Sequence, residues 1–77
     1  MRKRSVILHG HATSVSVEDE FWTELKRMAA AADLPMSSLI ERIDSGRTGD
    51  NLSSALRLAV LDDLRTRLVR LEREPQT

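Results

Sequence analysis

Three groups of residues in this chain could do chemistry: cations at Arg2, Lys3 and Arg4, imidazoles at His9 and His11, and hydroxyls at Ser14 and Ser16. Clustered cations attract phosphates whatever carries them. Short hydroxyls donate or accept hydrogen bonds, and two of them two residues apart on a strand share one face. The imidazoles are spaced so that both could reach one metal ion. Further ligands would have to come from elsewhere, because residues 1–17 hold no acid and the chain has no cysteine. Exposed or hydrogen-bonded histidines are therefore expected, with no metal and no cofactor. No serine, acid and histidine stand in a catalytic arrangement. Glu41 and Asp44 have the spacing of ordinary charge along one helix side. No catalytic residue is assigned, and an enzyme is not expected.

The elements that position these groups must come from 77 residues, enough for one small domain. A monomer of that size buries only roughly 60% of its unfolded surface. Such chains usually rely on disulfides, a metal or a second subunit. With disulfides excluded, oligomerisation is the expected remedy. Twelve Lys and Arg balance twelve Asp and Glu, so net charge does not decide the partner. Distribution is more informative: residues 1–17 carry only cations, whereas residues 18–33 carry Glu18, Asp19, Glu20, Glu24 and Asp33 against Lys26 and Arg27. The start Met1-Arg2-Lys3-Arg4 resembles the basic part of a signal peptide, but Val6-Ile7-Leu8 is too short for its apolar core. No segment reads as a membrane span. A soluble cytoplasmic protein is expected.

Thr13-Ser14-Val15-Ser16-Val17 alternates polar and apolar residues, the period of a half-buried strand. Val15 and Val17 share a face with Thr13 and His11; Ala12, Ser14 and Ser16 share the other. Residues 5–9 could extend the strand, with Gly10 as a bulge or bend. From Glu18 the period turns helical, with Trp22, Leu25, Ala29 and Ala32 in one stripe and Phe21 and Met28 widening it. Phe21 and Trp22 are adjacent, so one is expected in the core and the other over a dimer seam. Pro35 ends this helix near Asp33. A second helix starts between Pro35 and Ser38, with Ser38 and Glu41 spaced as a capping box, and stops at Gly46. A third runs from Leu52 to Arg73, capped by Asp50 or Asn51. Leu61, Leu64, Leu68 and Leu71 follow a coiled-coil-like 3,4,3 spacing, and residues 74–77 are expected to fray. The division is a basic arm over 1–10, a core over 11–47 and a third helix over 50–73.

The fold class expected is mainly α with one short N-terminal strand. A lone strand leaves its backbone groups unpaired. A second copy could satisfy them by antiparallel pairing across a twofold axis. The result would be an intertwined homodimer with a two-stranded ribbon and a shared core of Val15, Val17, Trp22, Leu25, Leu39, Ile40 and Ile43. A ribbon of that width fits the major groove of DNA.

The ordered set Arg4-Ser5-Val6, Gly10-His11, Thr13 to Val17, Phe21-Trp22, Leu34 to Ile40, Ile43-Asp44 and Asn51 to Arg57 resembles the ribbon-helix-helix superfamily of the Arc and methionine repressors. It is most similar to a short bacterial branch, here with an additional C-terminal helix. The resemblance implies a DNA-binding transcriptional regulator. Ala12, Ser14 and Ser16 would then read bases, and Pro35, Met36, Ser37 and Ser38 would frame a phosphate site, joined by phosphate contacts from Arg2, Lys3 and Arg4. Two features depart from the family pattern: this reading face carries no basic or amide side chain, and proline stands where a capping serine is usual. The alternative is a protein-interaction module or antitoxin whose third helix binds a partner, the ribbon serving dimerisation. Leu68 and Leu71 could also join dimers into tetramers.

Overall fold

A computed structural model of the chain describes residues 2–47, 49 and 51–73. Its elements are β1 (Arg2–Leu8), β2 (His11–Val17), α1 (Asp19–Ala31), α2 (Met36–Gly46) and α3 (Leu52–Arg73). The mainly helical class and the two-stranded antiparallel ribbon agree with the sequence reading. The source of the second strand does not. It is β1 of the same chain, pairing from Arg2↔Val17 to Leu8↔His11, so the segment expected as an arm over 1–10 is largely a strand. The physical reason lies at His9 and Gly10, where φ is 51° and 81°. Two consecutive residues with positive φ make a two-residue turn whose twist matches that of the strands it joins. Gly10 is thus part of a hairpin turn, and β2 finds its partner strand within the chain, without a second copy.

Hairpin and helices are tied by contacts between β1 and α2 and between β2 and α3, and the three helices pack on one another. Val15, Val17, Leu25, Ile40, Leu56 and Val60 are fully buried. Each such side chain contributes about 1.5–3 kcal/mol by leaving water. Leu8, Ala29 and Leu39 complete the core, with Phe21, Trp22 and Ile43 packed against it. The seven residues expected between two chains therefore lie in or against the core of one. Both adjacent aromatics reach that core, each partly buried.

Local chemistry sets the boundaries. α1 opens with Asp19 and Glu20 in its first turn, where negative charge suits the helix dipole. At its end Asp33 N–H donates to Ala30 O (3.1 Å) and Leu34 N–H to Ala29 O (2.9 Å), the two bonds of a Schellman motif. Asp33 occupies its left-handed position, φ 56°. The α2 cap is Pro35, without a side-chain hydrogen bond. Ser38 therefore stands inside the helix, and the expected capping box is not formed. Asn51 Oδ1 accepts the Ser54 N–H at 2.8 Å and caps α3; Asp50 and residues 74–77 lie outside the described residues. Among the described residues, no helix is long and apolar enough to cross a membrane.

Candidate nucleic-acid interface

Cross-strand partners share a face of a sheet, so the hairpin register sorts every residue of both strands. Arg2, Arg4, Val6 and Leu8 fall on one side with Val17, Val15, Thr13 and His11; Lys3, Ser5 and Ile7 fall on the other with Ser16, Ser14 and Ala12. Val15 and Val17 are buried, so the second set faces outward. The three candidate base readers, Ala12, Ser14 and Ser16, do share that face. It also holds Lys3, Ser5 and Ile7, which sequence reasoning did not place there. Ser16 is half-buried and the other five are exposed, Ile7 at 61%. The face has a cation after all, and no acid.

The three cations of the presumed arm separate. Lys3 faces outward. Arg2 lines a shallow cleft with Glu18, Asp19 and Glu20. Arg4 turns inward: its Nη2 lies 2.9 Å from Asp19 Oδ1 and its guanidinium 4.6 Å from the centre of the Trp22 ring. Its Nε is buried without a hydrogen-bond partner. A guanidinium over an indole face is held by the ring quadrupole. Arg4 therefore fixes β1 to α1.

The hairpin is anchored at both ends. At the turn, His9 N–H donates to Glu41 Oε2 at 2.8 Å, and His9 Nε2 lies 3.4 Å from Asp44 Oδ2. His9 belongs to the turn and His11 to β2, so the two imidazoles do not share a strand face. At the other end, Ser16 N–H donates to Ser53 Oγ in α3 at 3.4 Å. Asp44 titrates below the usual carboxylate range, chiefly because Arg47 hydrogen-bonds it, with a lesser contribution from His9. Glu18 is lowered mainly by its hydrogen bond from Arg57, which ties the start of α1 to α3 at 2.9 Å. Arg27, raised first by Asp63 and then by Glu24, makes a second tie between α1 and α3.

Met36, Ser37 and Ser38 form the first turn of α2. The Leu39 N–H bonds back to Pro35 O at 3.1 Å, so the three amides before it precede the helical ladder. No acid stands in that turn and no side chain caps it. Such a terminus favours an anion electrostatically.

A two-stranded antiparallel ribbon on a bundle of helices, with a polar, acid-free outward face, defines a ribbon-and-helix domain. The sequence profile of the ribbon-helix-helix domain matches residues 1–64, and the chain belongs to that family. Domains of this family generally bind DNA, regulate transcription and dimerise, and they are typically non-enzymatic. No curated protein and no solved structure matches the chain.

Proposed function

We propose that this protein is a cytoplasmic transcriptional regulator that binds duplex DNA as a homodimer, presenting the outward face of its hairpin to the major groove. The observation that carries this reading is the face itself: Lys3, Ser5, Ser14 and Ser16 stand together with Ile7 and Ala12, without a carboxylate. Ser14 and Ser16 can bond donors or acceptors on base edges, and Ala12 or Ile7 can meet a thymine methyl. Lys3 contributes a phosphate contact, and the α2 amides of Met36, Ser37 and Ser38 receive a second phosphate. Arg2 supports binding from the strand end, and Arg4 acts by holding the strand in place. A groove about 12 Å wide admits a two-stranded ribbon. The two-residue turn makes Leu8 and His11 a hydrogen-bonded pair, so the backbone groups of Ala12 and Ser14 point to the open edge of β2. Pairing of that edge with a second copy gives the homodimer a four-stranded sheet, whose central β2 pair is the two-stranded ribbon that enters the groove while Lys3 on each flanking β1 reaches a phosphate.

The test is Ser14→Glu, measured by fluorescence anisotropy on a labelled duplex. The position is exposed, so the fold should survive by circular dichroism. A carboxylate in the middle of the face should weaken binding by tenfold or more, about 1.4 kcal/mol, through repulsion from phosphate. Unchanged affinity in a folded variant would rule out this face.

A further inference from the structure

The third helix has two apolar stripes, and the chain itself covers only one. Leu56 and Val60 are buried against the body. The other stripe is Leu61, Leu64, Leu68 and Leu71, exposed at 47%, 42%, 56% and 67%. Asp63 marks the last tie to the body, 2.6 Å from Arg27. Beyond it residues 64–73 are all exposed, an overhang of about 15 Å at 1.5 Å per residue. A leucine stripe on such an overhang leaves apolar area in water that a partner would remove.

The spacing of the stripe assigns Leu61 and Leu68 to a positions and Leu64 and Leu71 to d positions of a heptad. Arg65 and Glu72 then fall at e, with Val60 and Arg67 at g. These flanks choose among arrangements. Antiparallel pairing of the same leucines sets Arg65 beside Arg65 of the second copy, and likewise Arg67 beside Arg67. Parallel, in-register pairing sets Arg67 opposite Glu72 of the second copy, twice by symmetry, and has no like-charge meeting at e and g. We infer that α3 is a self-association surface, on which Leu61, Leu64, Leu68 and Leu71 pair with the same residues of a second copy in parallel and in register. Four leucines make a short seam, so it works as a second interface on a folded body. It is separate from the hairpin face and does not depend on DNA binding.

The chain has no cysteine, so single-cysteine variants of the full chain report the seam without background. Under mild catalysed oxidation without DNA, Leu64→Cys and Leu71→Cys should each cross-link to covalent dimers. The rate should exceed that of Thr66→Cys, on the opposite side of the helix, by about tenfold or more, because pairing raises the effective thiol concentration. In a mixture of Leu64→Cys and Leu68→Cys, homodimers should dominate. Adding Glu72→Arg should slow cross-linking of Leu64→Cys about three- to tenfold at low salt, and Arg67→Glu on top should restore it. Cross-linking of Leu64→Cys no faster than that of Thr66→Cys would overturn the proposal and leave the stripe to an unrelated protein. Dominant heterodimers in the mixture would overturn the parallel orientation.

Discussion

Lys3→Ala and Arg4→Ala each remove one positive charge from adjacent positions of β1, yet their effects should differ in kind. Lys3 stands on the outward face opposite Ser16. If its ammonium meets one phosphate, its loss lowers the slope of log affinity against log salt by about 0.9 per chain, or about 1.8 for a dimer reading with both. Folding should hardly change, since the side chain is exposed. Arg4 is 21% exposed and held between Asp19 and Trp22. The stacked contact is worth about 0.5–2 kcal/mol. The ion pair lies at the low end of about 0.2–1 kcal/mol, because Asp19 is largely in water. Arg4→Ala should therefore cost about 1–2 kcal/mol of stability and leave the salt slope at its wild-type value. Urea denaturation followed by the fluorescence of Trp22, the single tryptophan, measures the first quantity. Anisotropy on a labelled duplex across a salt series measures the second. An Arg4→Ala variant that flattens the slope as much as Lys3→Ala while keeping full stability would refute this division of roles.

Acid should destabilise the fold through Glu18 and Asp44. Both carboxyls are held below their ordinary values of 4.5 and 3.8, by Arg57 and Arg47 respectively. A depressed folded value adds stability above the ordinary value and loses it as pH falls through the folded one, so the loss should begin below about pH 4.5. Arg57→Gln should make that loss shallower; an unchanged acid limb in urea titrations would count against the Glu18–Arg57 tie. At the end of α1, Asp33→Gly relieves a left-handed backbone that costs an L-residue about 1–2 kcal/mol, less for aspartate. It also gives back about 0.4–1 kcal/mol in unfolded-chain entropy, so a net stabilisation of about 0.5 kcal/mol is expected, read as a higher denaturant midpoint at unchanged slope.

The helices were legible because their signals are local. The start of α3 follows from Asn51 and the period of Leu52, Leu56 and Val60, and its end at Arg73 from the leucines that carry the period on. Pro35 and Gly46 mark α2 in the same way. β1 was not legible as a partner strand because its inward face mixes Arg2 and Arg4 with Val6 and Leu8. An arginine at an inward position reads as solvent-facing until Asp19 and Trp22, in another element, are seen to receive it. The turn concealed itself too, since histidine before glycine is a weaker signal than asparagine or aspartate there. A β1 that reads as an arm leaves β2 without a partner in the chain, and the alternating valines then point to an interface between chains.

The candidate site was half legible for the same reason. Alternation within β2 is enough to put Ala12, Ser14 and Ser16 together, and that half of the face is neutral. Its charge lies on β1, and which cation it receives depends on the strand register, which the turn length sets. With two residues in the loop, Lys3 is opposite Ser16 and turns outward, while Arg4 is opposite Val15 and turns inward. A slip of one residue in the pairing would exchange the two faces of β1 relative to β2. It would send Lys3 toward Trp22 and bring Arg4 and Val6 outward, exposing an apolar side chain and stranding the indole without its guanidinium. Burial of Leu8 and partial burial of Val6, the Arg4–Trp22 contact and the positive φ at His9 and Gly10 therefore all favour one register. That register is what makes the face basic through a flexible lysine and keeps the arginine as a fixed strut.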